Sequence, residues 1–333
     1  MIGHKVRRKA LAHLEMTRPY TMCHSGLVAI AGIELASSGQ APAWRVALAA
    51  LVTICGWEAG LYAGDYYDRD IDAASKPDRA IPSGRVSPRE AFATMVGLIA
   101  VGYICALALG IANLALAIFT TALGIAYSKT FKSKAILGNF DRGVLGVCAV
   151  YFGALAGGNV LRWDVLLLAA LVFFHDSATN LVGAIRDVDG DRAAGCPTVP
   201  VVYGLATAVD IVVSLVVSWV VAGIALAALV RPAGLAVALL LCALAIAAYV
   251  YAPLWWARRR VTRTQALAAH KYLVVERLVL MSGWIAVYAL ASVALGVLAG
   301  ALLLTVGSQA LLRDRYERQH IARPSLGGEH APV

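Results

Sequence analysis

Charge is scarce in this chain. Only 15% of its 333 residues are Asp, Glu, Lys or Arg, 60% are hydrophobic, and the mean hydropathy is +0.73. A soluble domain of this size needs more polar surface to cover its core, so a cytosolic dinucleotide-binding enzyme and a nucleic-acid-binding domain are both excluded. Paired cysteines are missing too. Cys23, Cys55, Cys105, Cys148, Cys196 and Cys242 stand singly, with no zinc or redox spacing and no disulfide framework, and they read as small core residues. The stretch before Thr21 has no apolar core followed by a small-residue cleavage site. The first crossing, and not a cleaved signal peptide, is therefore expected to direct insertion.

Long apolar runs are what the chain has in abundance. They fall at 21–37, 43–63, 91–110, 112–127, 143–158, 164–184, 205–230, 233–254 and 275–305, each bounded by Gly, Pro or charge. About 20 apolar residues cross a bilayer as a helix, so the pattern predicts an all-α integral membrane protein of about nine transmembrane helices. Three parts follow: a basic cytoplasmic N-terminus over 1–20, a membrane domain over 21–306, and a polar, partly disordered tail over 307–333.

The formal net charge of +9 needs no nucleic-acid partner, because basic loops set membrane topology and meet anionic lipid. With the N-terminus inside, the inner segments hold 22 Lys and Arg, and the outer loops hold three, Arg45, Arg162 and Arg231. This asymmetry predicts a multi-pass protein of the cell membrane with a cytoplasmic N-terminus. Nine crossings put the tail outside, yet it carries Arg313, Arg315, Arg318 and Arg323. Either late charges are tolerated, or the count is off by one near 275–305.

Two acidic clusters stand at inner helix ends. At about 100° per residue, Asp65, Asp68 and Asp72 share one helix face, which Glu58 extends one heptad earlier, while Asp70 points away. Like charges stacked on one face repel, so they need cations. Hard oxygen donors suit Mg²⁺, which completes its shell with water and substrate phosphate. On a continuous sixth crossing, Asp176, Asn180, Asp187 and Asp191 form a second strip, with Asp189 roughly opposite Asp191. Two such faces at one membrane surface are expected to hold a pair of Mg²⁺ ions with a diphosphate between them. Arg69, Lys76, Arg79 and Arg85 beside the first cluster, and Arg186 and Arg192 beside the second, would neutralise that diphosphate. His175 beside Asp176 reads more readily as a packing residue than as a proton relay. Trp57, Tyr62, Tyr66 and Tyr67 offer ring faces to a carbocation.

The run Asp65-Tyr66-Tyr67-Asp68-Arg69-Asp70-Ile71-Asp72, with Lys76-Pro77-Asp78-Arg79 and Pro82-Ser83-Gly84 after it, resembles the first signature of the UbiA superfamily of intramembrane prenyltransferases. Arg186-Asp187-Val188-Asp189-Gly190-Asp191-Arg192 resembles the second. The resemblance implies a helical barrel with a central cavity capped by cytoplasmic loops. It also implies Mg²⁺-dependent binding of a prenyl diphosphate and attack of an acceptor on the allylic carbon. Asp65, Asp68, Asp72, Asp187 and Asp191 match its metal-binding positions. Tyr127 and Lys132 match loosely a Tyr and Lys that the family usually spaces four apart. Arg18 and Arg142 stand where basic residues can reach the cavity. Gly64 occupies a place that is usually Asn, which Glu58 or a water would have to supply.

The function expected is Mg²⁺-dependent transfer of a prenyl group to an aromatic or lipid-like hydrophobic acceptor in the membrane. A membrane terpene cyclase would share the first half of that chemistry. A cation-coupled transporter would also use paired carboxylates, but near the bilayer midplane and on broken helices.

Overall fold

The computed structural model describes residues 2–313 of the chain. Twelve α-helices are found there: α1 (Ile2–Thr17), α2 (Pro19–Ser37), α3 (Ala43–Tyr67), α4 (Arg69–Ser75), α5 (Pro88–Leu109), α6 (Ile111–Lys129), α7 (Ile136–Gly157), α8 (Trp163–Ala193), α9 (Val199–Val230), α10 (Leu235–Trp256), α11 (Arg263–Ile285) and α12 (Ala291–Ser308). A 3₁₀ turn at Phe131–Ser133 and a π-helical turn at Gln309–Arg313 complete the secondary structure, and no strand occurs among the described residues. Helix starts follow local chemistry. Ser87 with Glu90 caps α5, and Thr262 with Gln265 caps α11, each pair satisfying two backbone donors reciprocally. Gly204, at φ 83°, breaks the path of α9 near its start.

Eight helices, α3, α5 to α10 and α12, are long and apolar enough to cross a bilayer. Helices α2 and α11 fall outside that set because they bury polar side chains within the bundle, His24 and Glu34 on α2 and Glu276 and Arg277 on α11. The run 275–305 is not one crossing. Helix α11 starts as early as Arg263 and stops at Ile285, and α12 begins at Ala291. The linker Ala286-Val287-Tyr288-Ala289-Leu290 is itself apolar, so hydropathy does not register the break. The expected basic N-terminus forms α1, whose Ala12 and Met16 pack with Tyr62, Ile81, Val86 and Met95. Most of the expected polar tail, residues 314–333 with Arg315, Arg318 and Arg323, lies outside the described residues.

Neighbouring helices pack side by side around a ring, and α11 closes it against α2. The tightest seam joins α2 to α7. A methyl group on Gly153 would lie 2.0 Å from the Ala29 carbonyl oxygen, and one on Gly32 would lie 2.3 Å from that of Val150. Without a hydrophobic drive between helices in lipid, such backbone approach supplies the packing.

Candidate active site

The ring encloses a cavity of about 1310 Å³ walled by α2, α3, α5, α6, α7, α8 and α11. Both acidic clusters open into it. In the first, α3 ends at Tyr67 and the chain bends at Asp68. The Asp68 N–H still donates to the Gly64 carbonyl at 2.9 Å, and Asp72 N–H to that of Asp68 at 2.8 Å. The helical ladder therefore runs through the bend, and Asp65, Asp68 and Asp72 all reach the cavity lining.

Each of these carboxylates meets a cation, and for Asp65 and Asp68 it comes from a distant part of the chain. Arg18 donates to Asp65 at 2.5 Å, Arg79 donates to Asp72 at 2.5 Å and lies 3.6 Å from Asp65, and Lys132 bonds Asp68. Lys76 stands 3.9 Å from Asp72. Arg18 adopts a left-handed backbone, φ 42° and ψ 63°, directly before the proline that opens α2. Such a conformation is costly for a non-glycine residue and persists only where its surroundings hold it. Burial pushes the Lys76 ammonium pKa below its ordinary value, with the nearby Arg79 charge acting in the same direction. Burial also works against the charged form of Lys132, but the Asp68 carboxylate outweighs it and raises that pKa.

The second cluster is more local. Helix α8 continues to Ala193, so Asp187 and Asp191 stay on the cavity side with Asn180 and Asp176. Arg186 grips its neighbour Asp187 with two hydrogen bonds, 2.9 and 2.5 Å, and Thr198 donates to Asp191 at 3.1 Å. The segment after α6 that carries Lys132 is joined to the loop after α8 where Ala135 N–H donates to the Pro197 carbonyl at 2.8 Å. Among the described residues, no three His, Cys, Asp or Glu side chains converge into a ready ligand group. The acidic side chains instead face Arg, Lys or Thr partners. The donor chemistry, hard carboxylate oxygens on two walls of one cavity, suits a Mg²⁺ ion that draws much of its shell from water and substrate phosphate.

Most expected site residues come together. Asp65, Asp68, Asp72, Lys76, Arg79, Tyr127, Lys132, Arg142, Asn180, Arg186, Asp187 and Asp191 all line the cavity. The awkward spacing of Tyr127 and Lys132 is resolved by the 3₁₀ turn that follows α6. Tyr127 hydroxyl lies 3.4 Å from the Asn180 side-chain oxygen. Arg69, Arg192 and Glu58 are not in the lining. Arg69 stacks on Tyr66 and donates to its carbonyl, and Arg192 faces Asp189 from an exposed position. Glu58 is buried with neither carboxylate oxygen hydrogen-bonded, and it does not fill the open space above Gly64. Asp70 is 86% exposed and outside the lining, whereas Asp189 reaches the cavity edge.

Deeper in the cavity lie residues that sequence reasoning missed. Arg277 lines the wall 5.9 Å from the Trp57 ring, on which the expected Arg142 stacks at 4.6 Å. His175 is no lone packing residue, since its Nε2 meets Glu276 at 2.7 Å, and His24 meets Asp176 at 2.9 Å. The available signal was the Glu276-Arg277 pair inside an apolar run, because intramembrane charges mark function by default.

The family model of the UbiA prenyltransferase family matches residues 25–273. The chain belongs to this family. It is a multi-pass membrane prenyltransferase. It is 36% identical over 192 residues to a digeranylgeranylglyceryl phosphate synthase of Natronomonas pharaonis, covering 57% of this chain and 68% of that protein. The corresponding synthase of Methanopyrus kandleri is 33% identical, with coverage of 58% and 70%. Among solved structures, the apo form of a UbiA homologue from Aeropyrum pernix K1 superposes with a TM-score of 0.68 at 20% identity, covering 79% of this chain and 96% of that one. A UbiA homologue from Archaeoglobus fulgidus bound to DMAPP and Mg²⁺ gives 0.63 at 18% identity, covering 81% and 99%. These likenesses bear out the UbiA helical fold. Helix α12 lies beyond the family match.

Proposed function

We propose that this prenyltransferase uses Mg²⁺ and an isoprenoid diphosphate to prenylate the hydroxyl of a phosphate-bearing lipid alcohol. The observation that carries the reading is that two acidic helix ends and the cations Lys76, Arg79, Lys132 and Arg186 line one cavity. Asp65, Asp68, Asp72, Asp187 and Asp191 are the residues that would hold Mg²⁺. The A. fulgidus homologue with DMAPP and Mg²⁺ supports that assignment. Bound there, the metal supplies Lewis-acid stabilisation of the leaving diphosphate.

The chain's own residues do the rest. Arg79, Lys76, Lys132 and Arg186 give charge-assisted hydrogen bonds to the diphosphate as negative charge grows on it. Val52, Met95, Leu98 and Ile99 on the walls keep water from the allylic cation, and the faces of Trp57 and Tyr67 stabilise its charge. Two features support the acceptor class. The relatives named above make a glyceryl phosphate carrying two geranylgeranyl groups. Arg142 and Arg277 put two guanidiniums on the deep wall, suited to an acceptor phosphate. A cytoplasmic N-terminus agrees with the helix count. Ten helices of 18 residues or more follow α1 among the described residues, an even number, so both ends of the described chain would stand on one side. Cysteine labelling is expected to find Ser83 and Thr198 on one side and Arg162 and Arg231 on the other.

The deciding experiment gives purified protein Mg²⁺ and geranylgeranyl diphosphate, with and without a glycerol phosphate monoether or aromatic acceptors. An ether adduct that needs both the monoether and Mg²⁺, and is lost on chelation, is the expected result. A cyclic hydrocarbon made without any acceptor would move the assignment to a terpene cyclase. An aromatic adduct would replace the lipid alcohol.

A further inference from the structure

Beneath the diphosphate site lies a chain of four titratable side chains drawn from three helices. Glu276 of α11 meets His175 of α8 at 2.7 Å, His175 Nδ1 stands 3.7 Å from Asp176 Oδ1, and that same oxygen meets His24 Nε2 of α2 at 2.9 Å. All four are buried, with Glu276 at 0% and Asp176 at 7% exposure, yet Asp176 lines the cavity. The other helices around it bring Arg277 from α11 to the cavity wall, and Gly146 from α7, where any methyl would come within 2.7 Å of Asp176 Oδ2.

Two carboxylates so deep in an apolar slab are costly. A staple between helices could be built from Ser, Thr or Asn at lower cost, and a staple has no need of a carboxylate facing the cavity. Depth favours a chemical role. Asp176 precedes Asp187 by eleven residues on the same face of α8, about 16 Å of helix rise. That span has room for a diphosphate, an allylic carbon and an attacking hydroxyl about 3 Å from it, with one hydrogen bond left to reach Asp176.

We propose that Asp176 is the general base that takes the proton from the attacking acceptor hydroxyl, with His24, His175 and Glu276 as positioning residues. This rests on the reading of the site as one that prenylates a hydroxyl. An oxygen lone pair forms the C–O bond to allylic C1 as the C1–O bond to diphosphate breaks, and that bonding pair leaves on the diphosphate. The hydroxyl proton passes to a carboxylate oxygen of Asp176. His24 holds the other side of the carboxylate, and the His175–Glu276 pair behind it fixes the ring positions. The proton leaves with product release, which restores the carboxylate.

The test uses the full chain in nanodiscs, with geranylgeranyl diphosphate as donor and a glycerol phosphate monoether as acceptor. Asp176→Asn is expected to lower kcat by roughly 10²- to 10⁴-fold, the range of general-base catalysis, with KM for the donor unchanged. Asp176→Glu is expected to recover part of the loss. His24→Gln, which keeps an N–H facing Asp176, is expected to fall between wild type and His24→Ala. Infrared difference spectra recorded on adding the monoether without donor are expected to show a carboxylate band that moves in the wild type and not in Asp176→Asn. This spectral arm needs no turnover, so it reads the base even where the transfer reaction itself fails. Wild-type kcat in Asp176→Asn, or a wild-type carboxylate band that the monoether leaves unmoved, would overturn the proposal.

Discussion

The two acidic clusters carry the same chemistry and are assembled in different ways. Two of the three cations that hold the first come from far away in sequence, Arg18 before α2 and Lys132 beyond α6, and the third, Arg79, stands seven residues past Asp72. The second is held by its neighbours, Arg186 one residue away and Thr198 seven residues on. The difference teaches that one wall of the site exists only once the bundle has closed, whereas the other is largely built by a single helix and its following turn. Damage to distant loops should therefore fall on the first wall.

The strongest way to break this comparison is to remove one carboxylate from each wall. Asp68→Ala and Asp187→Ala are each expected to lower turnover by roughly 10³-fold, about 4 kcal/mol of lost transition-state stabilisation, because the diphosphate needs both walls. Steady-state assay beside a thermal-unfolding check reads the result. Near-normal activity in either variant would make the walls independent. The next test is of the cations. Arg79→Ala and Lys132→Ala remove hydrogen bonds between charged groups, worth about 1.5–3 kcal/mol each. They should cost roughly 10- to 100-fold in kcat/KM for the donor, and Arg186→Ala less, since Asp187 sits on a helix that forms without it. Equal losses from all three would erase the contrast.

A third variant attacks the seam that brings the walls together. Gly153→Val on α7 collides with the Ala29 backbone of α2, and overpacking of this kind costs about 1–3 kcal/mol. A lowered Tm in detergent, with a smaller loss of activity in the surviving fold, is expected. An unchanged Tm would mean the helices can part without cost. The smallest effects should come from Asp70→Ala and Asp189→Ala, whose side chains are 86% and 81% exposed. A loss in Asp189→Ala as large as that of Asp68→Ala would show that the edge of the cavity, and not its wall, holds the diphosphate.

Both walls were legible in the sequence because their residues recur at helical spacing at the ends of two apolar runs, with arginine interleaved, at one membrane surface. Tyr127 and Lys132 were harder, since Tyr127 lies in α6 and Lys132 in the 3₁₀ turn after it, where the angular step differs. Arg69 and Arg192 looked equivalent to Arg79 and Arg186 by proximity in sequence. Only the fold separates them, as Arg69 turns onto Tyr66 and Arg192 stays at the exposed face. The break between α11 and α12 was hidden because its linker is as apolar as the helices it joins.

The amino-acid order by itself determined the environment, the all-helical class and the two acidic faces, since those depend on hydropathy and on 3.6-residue periodicity within single segments. The buried chain of polar groups behind Asp176 was decided by tertiary structure. His24, Asp176, His175 and Glu276 sit on helices separated by up to 252 residues of chain, from His24 to Glu276. In the sequence they are a lone His24, the adjacent His175-Asp176 and Glu276 beside Arg277, with nothing local to link the three places. Their meaning lies in mutual distance, and the helix rotation that sets it comes from close packing around the ring, which no local pattern encodes.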